Sequence, residues 1–351
     1  MPNIRIAVIG AGLIGRKHLA HIAKHADFDL VAIADVNRDA VAAQYPGIPV
    51  FADAREMMDT AKPEAIIIAS PNQLHSENGI DCARRGIHCI IEKPVTDTVD
   101  SAMALLAAVK SSGIKTLVGH HRRHHQQVGV FKQLLADQAL GPIVGVSGIW
   151  ATYKPAAYYE AGPWRKQIGG GVLLINLIHE IDFLRFTLGE IVAVSAMSAN
   201  TQRGFVVEDA ACATLEFASG ALGTFFITDS GVSPWTMEQG LGEAPEFPYT
   251  GQSSYRFIGG KASLEWPELR VWSQQGDPSW NKLVHAHELM PAPLNPYDAQ
   301  LDHFRDLIRG KIASLQTAED GLRTLIATAA VSEAAATGQR IDLRARYSKL
   351  D

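Results

Sequence analysis

IRIAVIGAGLIGRKHLAHIAKHADFDLVAIAD, residues 4–35, decides how the rest of the chain is read. It opens on an aliphatic run with no period-two alternation, which suits a strand buried on both faces of a parallel sheet. Gly10, Gly12 and Gly15 then fall on the GxGxxG spacing, a helical pattern follows, and a second aliphatic run closes at Asp35. The spacing has a physical reason. The first glycine permits a tight turn, the second lets backbone approach a pyrophosphate, and the third lets helix and strand pack closely. The helix N-terminus then points its positive end at the phosphates. Gly10, Gly12, Leu13, Ile14 and Gly15 are therefore expected to hold a dinucleotide. Asp35 would accept hydrogen bonds from a ribose diol and repel a 2′-phosphate, which favours NAD over NADP, and Arg38 stands close enough to weaken that preference. A glycine-rich turn without a ligand is the bland alternative, and the complete βαβ context speaks against it.

Outward from this unit, further aliphatic runs stand at 49–51, 65–70, 87–94 and 115–120. Helical patterns at 14–25, 73–86 and 100–113 separate them, with glycine at or near the stops. Alternation at this pitch predicts an α/β Rossmann domain with a parallel, doubly wound sheet over residues 1–122. Beyond that the texture changes. Strand-like alternation appears at 143–153, 191–200, 209–218, 221–228, 254–260 and 262–266, with turn signals at 218–220 and 259–263. A long helix is expected at 171–189 and two more near 296–309 and 317–337. Residues 123–351 should thus form an α+β domain on a large, mostly antiparallel open sheet. The Gly-, Pro- and acid-rich stretch 229–252 reads as a mobile loop.

Composition narrows the function classes. With 32 Lys and Arg against 37 Asp and Glu the net charge is −5, so no global basic field invites nucleic acid or an anionic membrane. No run of about 18 apolar residues suggests a transmembrane helix. Cys82, Cys89 and Cys212 make no disulfide framework, and a cytoplasmic protein is expected.

Two positions stand out for proton chemistry. The run 87–94 ends at Glu92-Lys93-Pro94, and ligands of open α/β sheets sit beyond the carboxyl ends of the strands. An ammonium there can hydrogen-bond a substrate hydroxyl or a nicotinamide ribose; a solvated surface pair is the plain alternative, and a cis Lys93–Pro94 bond fits the site. On the long helix, Asn176 and His179 share a face with Asp182 near its edge. His179 suits taking a proton from an alcohol as hydride leaves; a buried histidine satisfied by a carboxylate is the competing reading, and Asp182 reads as a structural partner. HHRRHH at 120–125 makes a poor metal cluster, so no metal is expected. It makes a good site edge, where some of His121, Arg122 and His124 should face substrate. Tyr153, Trp164 and Arg165 are further wall candidates, with ordinary packing as the alternative for Tyr153. His285 and His287 read as solvated.

Taken together, AVIGAGLIGRKH (7–18), SPNQLH (70–75), EKPVT (92–96), VGHHRRHH (118–125), WR (164–165), GGGVLLINLIHEID (169–182) and NPYDAQLDHF (295–304) resemble the Gfo/Idh/MocA oxidoreductases over nearly the whole chain. The resemblance implies a two-domain NAD(P)-dependent oxidoreductase that forms a homodimer or homotetramer through its C-terminal sheet. It implies that Ser70, Pro71, Asn72 and His75 border the cofactor, that Glu92 and Lys93 flank the nicotinamide ribose, and that Lys93 and His179 match the family's catalytic lysine and histidine. Family members usually carry an aspartate four residues before that histidine; here Ile175 stands there, with Asn176 beside it as a substrate contact. The expected function is hydride transfer between NAD and a secondary alcohol of a sugar, cyclic polyol or related hydroxy acid. Two alternatives stay open. One is a dehydrogenase of a cyclic dihydrodiol carboxylate, held by Arg122, Arg123 and Arg165. The other is a dinucleotide-binding sensor without turnover.

Overall fold

The computed structural model describes residues 2–243, 247–292 and 294–350. Backbone contacts divide the chain into two units, residues 1–125 with 294–325 and residues 126–293 with 326–351.

The first unit is built on a parallel sheet of six strands: β1 (Ile4–Ile9), β2 (Phe28–Ala34), β3 (Val50–Phe51), β4 (Ala65–Ile68), β5 (His88–Ile91) and β6 (Thr116–Val118). Their order is β3-β2-β1-β4-β5-β6, so the chain reverses direction across the sheet between β1 and β4. Ile66, Ile67, Ile90 and Ile91 are fully buried, as strands covered on both faces require. Thr98 caps the helix Val99–Ser112 through the Ser101 N–H, and Gly113 ends it in the left-handed region at φ 71°. Among the described residues six α-helices outside the expected set appear, Arg38–Gln44 and Ala54–Ala61 here and Gln126–Ala136, Ala156–Glu160, Met237–Leu241 and Arg344–Tyr347 in the second unit. The helix Pro296–Ile308 belongs with this first unit because Leu301, Phe304 and Leu307 join the core of Ile4, Leu19, Phe28 and Leu117.

In the second unit nine strands form one sheet: β7 (Ile143–Ala151), β8 (Ile191–Ala199), β9 (Ala210–Phe217), β10 (Leu222–Thr228), β11 (Tyr255–Gly259), β12 (Ala262–Trp266), β13 (Arg270–Ser273), β14 (His285–Glu288) and β15 (Ile341–Asp342). Every neighbouring pair is antiparallel except β10 with β7. Alternation along the strands sorts the two faces. One face packs Tyr255, Phe257 and Trp266 against Phe131 and Phe183 of the covering helices, with Phe131–Phe257 ring centroids 4.5 Å apart and Phe183–Trp266 5.0 Å apart. The other face leaves Met197, Leu222 and Phe226 exposed around a groove of about 880 Å³. His285 and His287 are exposed on β14. The stretch 229–252 is more ordered than its composition suggests. It carries the helix Met237–Leu241, capped by Thr236 and seated by the buried Met237; residues 244–246 lie outside the described residues.

Candidate active site

In the first unit, β1 delivers the chain to Gly10 at φ 89°, where a side chain would collide with the Ala69 carbonyl at 2.5 Å. A Cβ at Gly15 would stand 1.8 Å from the Gly10 oxygen, so this glycine is what lets the helix Leu13–Ile22 rise directly off the turn. Gly12 differs: a Cβ there meets nothing within 4 Å. Gly12 is also the N-cap of that helix, which has no side-chain cap and no acid in its first turn. Its first N–H groups therefore have no side-chain acceptor, the electrostatic setting for a phosphate. Leu13 is 77% exposed beside the loop and Ile14 half-buried.

Asp35 hangs from the end of β2 with both carboxylate oxygens fixed by backbone. Oδ2 accepts from the Ala11 N–H at 2.7 Å and Oδ1 from the Asn37 N–H at 2.8 Å. Gly10, Asp35, Ser70, Pro71 and Leu74 line one cleft of about 270 Å³. Asn72 lies in the 3-10 turn Asn72–Leu74. Arg38 turns its Nε to the Val50 carbonyl at 3.1 Å. Arg55, which no sequence pattern singled out, also lines the cleft, but Asp81 at 2.6 Å and Glu77 at 2.5 Å occupy its guanidinium. Asp53 capping the Glu56 N–H three residues on is the sequence signal that could have placed Arg55 on a helix here.

His75 is 1% exposed, and its two ring nitrogens face the Pro94 and Ser70 carbonyls at 2.8 and 2.9 Å, clipping together the loops that follow β4 and β5. Burial pushes its pKa below the ordinary value, against the pull of both carbonyls. The Lys93–Pro94 bond is cis, and Lys93 is half-buried at the carboxyl end of β5. Glu92 points inward, with Oε1 2.7 Å from His18 Nε2 and Oε2 accepting the Lys93 N–H at 3.2 Å. Strand β6 stops at Val118, and the histidine-rich run is a 3-10 turn, His121–His124, with every member buried. His121 stacks on Tyr297 at 4.6 Å, and Arg123 is taken by Asp320 at 2.5 Å and the Leu315 carbonyl at 2.7 Å. Arg122 is 3% exposed. Burial, with the charges of His303, His121 and Arg123, lowers the His124 pKa to about 3.

In the second unit, the expected long helix carries a π-helical turn at Leu173–Leu177 before continuing as the α-helix Ile178–Leu188. Asn176 lies inside that turn and His179 just after it, both half-buried; π turns are frequent at functional sites. Asp182 is 1% exposed, in keeping with a structural part. Gly171, at φ 81°, opens the helix where a Cβ would strike Glu208 at 2.4 Å, and Glu208 accepts the Leu173 N–H at 2.9 Å. Burial raises the Glu208 pKa, helped by Asp229 and Asp209.

A charge cluster that no sequence pattern announced supports Asn176. Lys154, just past β7, donates to the Asn176 Oδ1 at 2.6 Å and stands 3.5 Å from Asp229 Oδ2. Asp229 also accepts from Tyr159 at 2.5 Å and Arg203 at 3.1 Å. An ammonium can only donate, so Lys154 fixes the Asn176 amide with its oxygen inward and its NH2 available as a donor. Burial and then the Asp229 bond raise the Tyr159 pKa well above the usual phenol range. The available signal was positional: Lys154 and Asp229 each follow an apolar strand. Tyr153 and Trp164 are 56% and 51% exposed, which ordinary packing does not explain. Tyr153 lines a cavity of about 390 Å³ with Tyr159, Lys166 and Arg203. Arg165 lies over the Tyr158 ring at 3.9 Å and donates to the Tyr158 carbonyl.

Among the described residues, no three His, Cys, Asp or Glu side chains are grouped to hold a metal ion, and no helix is long and apolar enough to cross a membrane.

Residues 4–120 match the GFO_IDH_MocA family model, described as an oxidoreductase family with an NAD-binding Rossmann fold, and residues 132–343 match its C-terminal alpha/beta domain. The chain is 26% identical to a 1,5-anhydro-D-fructose reductase of Ensifer adhaerens over 349 residues, covering 97% of this chain and 98% of that one. It is 28% identical to a levoglucosan dehydrogenase of Pseudarthrobacter phenanthrenivorans over 261 residues, 64% of this chain and 67% of that one. The WlbA dehydrogenase of Bordetella pertussis, solved with NADH and UDP-GlcNAcA, superposes with a TM-score of 0.78 at 23% identity, covering 97% and 99% of the two chains. That last likeness is one of fold.

Proposed function

The chain belongs to the Gfo/Idh/MocA oxidoreductase family, and from that premise we propose that it transfers hydride between NAD and a secondary alcohol of a sugar or cyclic polyol, with Lys93 and His179 as its proton-handling residues. It is an NAD(P)-dependent dehydrogenase. The observation that carries the cofactor reading is the opening at Gly12: a Cβ direction with nothing within 4 Å, above an uncapped helix N-terminus, beside the cleft that Asp35 lines. A bound nicotinamide supplies the hydride acceptor or donor. The chain's own residues do the rest. The loop N–H groups bind pyrophosphate, and Asp35 takes the adenosine ribose diol. The carboxylate disfavours a 2′-phosphate at that position, and Arg55, which could have compensated, is neutralised by Asp81 and Glu77. NAD is therefore the preferred dinucleotide.

For the proton, Lys93 binds the reacting hydroxyl and His179 accepts its proton as the alcohol is oxidised, returning it in reduction. Asn176 donates its NH2 to a substrate oxygen. It takes the positioning role in place of the carboxylate that the family resemblance implies at the position of Ile175, and His121, Arg122, Tyr153, Trp164 and Arg165 complete the substrate contacts. A hydroxyl-rich ligand suits a wall of tyrosine, tryptophan and amide donors. The relatives named for 1,5-anhydro-D-fructose and levoglucosan support a pyranose-sized substrate. The exposed apolar face around Met197, Leu222 and Phe226 supports self-association through the second sheet. Absorbance of reduced nicotinamide, followed with NAD+ and a panel of levoglucosan, 1,5-anhydro-D-glucitol and myo-inositol, tests the reading. Turnover on at least one member is the expected result. Tight NADH binding without turnover on any of them would overturn the sugar or polyol substrate.

A further inference from the structure

We propose that His18, acting through Glu92, positions the dinucleotide-loop helix against the strand end that carries Lys93. The inference rests on the reading of Lys93 as a site residue and names what holds that residue in place.

Glu92 is 8% exposed and His18 1% exposed, so neither is an ordinary surface group. A carboxylate in such a place needs donors for both oxygens. The structure divides them: Oε1 meets the His18 Nε2 at 2.7 Å, while Oε2 accepts the backbone N–H of Lys93 at 3.2 Å. Gly119 leaves the room for this carboxylate, since a Cβ there would fall 2.6 Å from Oε2 and 2.8 Å from Oε1. The imidazole is held in turn by Tyr297, whose ring meets it edge-on at 5.5 Å. Burial drives the Glu92 carboxyl up, but the His18 hydrogen bond and the charges of His18, His121 and Lys93 outweigh it, and the group titrates below the usual range. Glu92 therefore stays an anion.

The consequence is mechanical. His18 lies on the helix Leu13–Ile22, whose N-terminus forms the phosphate-facing loop. Through one hydrogen bond it reaches the carboxylate that fixes the backbone of Lys93 at the end of another strand. Helix and lysine are thus tied by a side-chain bridge. Removing the imidazole leaves Glu92 short of a donor, and its carboxylate must turn away from the Lys93 N–H or take up water.

The test is a double-mutant cycle read as the Kd for NADH, from nicotinamide fluorescence, on the full chain. His18→Leu is expected to weaken NADH about tenfold, and Glu92→Gln by a similar factor. The double variant should also lose about tenfold rather than about a hundredfold, because both single changes break the same bridge. His18→Gln, whose amide nitrogen can occupy the Nε2 position, should recover to within about threefold of the unaltered chain. A plain packing role would not give that rescue. If the leucine variant does not fold, His18→Asn, whose shorter amide cannot reach Glu92, takes its place in the cycle. Multiplicative losses in the double variant, NADH binding within twofold in His18→Leu, or a glutamine variant as weak as the leucine one would each overturn the proposal. Lys93→Ala is assayed alongside with NAD+ and the polyol panel. Surviving turnover there defeats the reading of Lys93, and the NADH cycle decides the role of His18 separately.

Discussion

The loop at Gly10–Gly15 and the cluster around Asn176 are built in opposite ways. The first is made of backbone: its selectivity comes from where side chains are missing, and only Asp35 adds a charge. The second is made of side chains, with Lys154, Asp229, Arg203 and Tyr159 bonded to one another around a single amide. A backbone site is insensitive to most substitutions but intolerant of any Cβ that meets another atom. A side-chain network tolerates changes of shape and fails when one charge is removed.

Substitutions can break this contrast. Gly15→Ala should have the largest effect: with its Cβ 1.8 Å from the Gly10 oxygen, the turn cannot form as built. A loss of about 4 kcal/mol or more is expected in chemical denaturation. Asp229→Asn comes next. It leaves Lys154 and Arg203 with one buried negative charge fewer, and a loss of about 3 kcal/mol is expected in the same measurement. Unchanged stability there would mean that the network is not the support of Asn176. Gly12→Ala sharpens the comparison, because its Cβ meets nothing. The variant should keep its stability within about 0.5 kcal/mol, yet NADH binding should weaken about tenfold, or about 1.4 kcal/mol.

The smallest effect concerns acid. His124 has a folded pKa of about 3 against an ordinary 6.5. Between those values the unfolded chain binds the extra proton, so stability is fully present above about pH 6.5 and declines as pH falls through this window. Replacing His124 by Phe should remove about 1 kcal/mol of the loss seen between about pH 7.5 and about pH 5.5 in urea titrations. An unaltered acid slope would contradict the buried, neutral imidazole.

Much of the first unit was legible because its signals are local. Aliphatic runs, GxGxxG and a terminal aspartate all fall within a few dozen residues, and the strands appear where the runs stand. The helices Arg38–Gln44 and Ala54–Ala61 were missed because, at seven and eight residues, they are too short for a helical period to repeat. The return of Pro296–Ile308 to the first core was hidden for another reason: its partners Ile4 and Phe28 stand some 270 residues or more away along the chain. Candidate site residues followed the same rule. Lys93 stood out at the end of a strand, as did the Asn176–His179 spacing. Lys154, Asp229 and Glu208 did not, because their meaning depends on contacts between distant strands. The HHRRHH run gave no sign of its form, a buried 3-10 turn just after β6 in which Arg123 is taken by Asp320.

The central claim is that the ammonium of residue 93 binds the reacting hydroxyl and leaves dinucleotide binding largely to the loop. Paired measurement of NADH affinity and of hydride transfer from the best polyol substrate in Lys93→Ala tests it most directly. Affinity within about fivefold of the unaltered chain, with turnover reduced by about a hundredfold or more, is the predicted result. Turnover within a few-fold of the unaltered chain would contradict it.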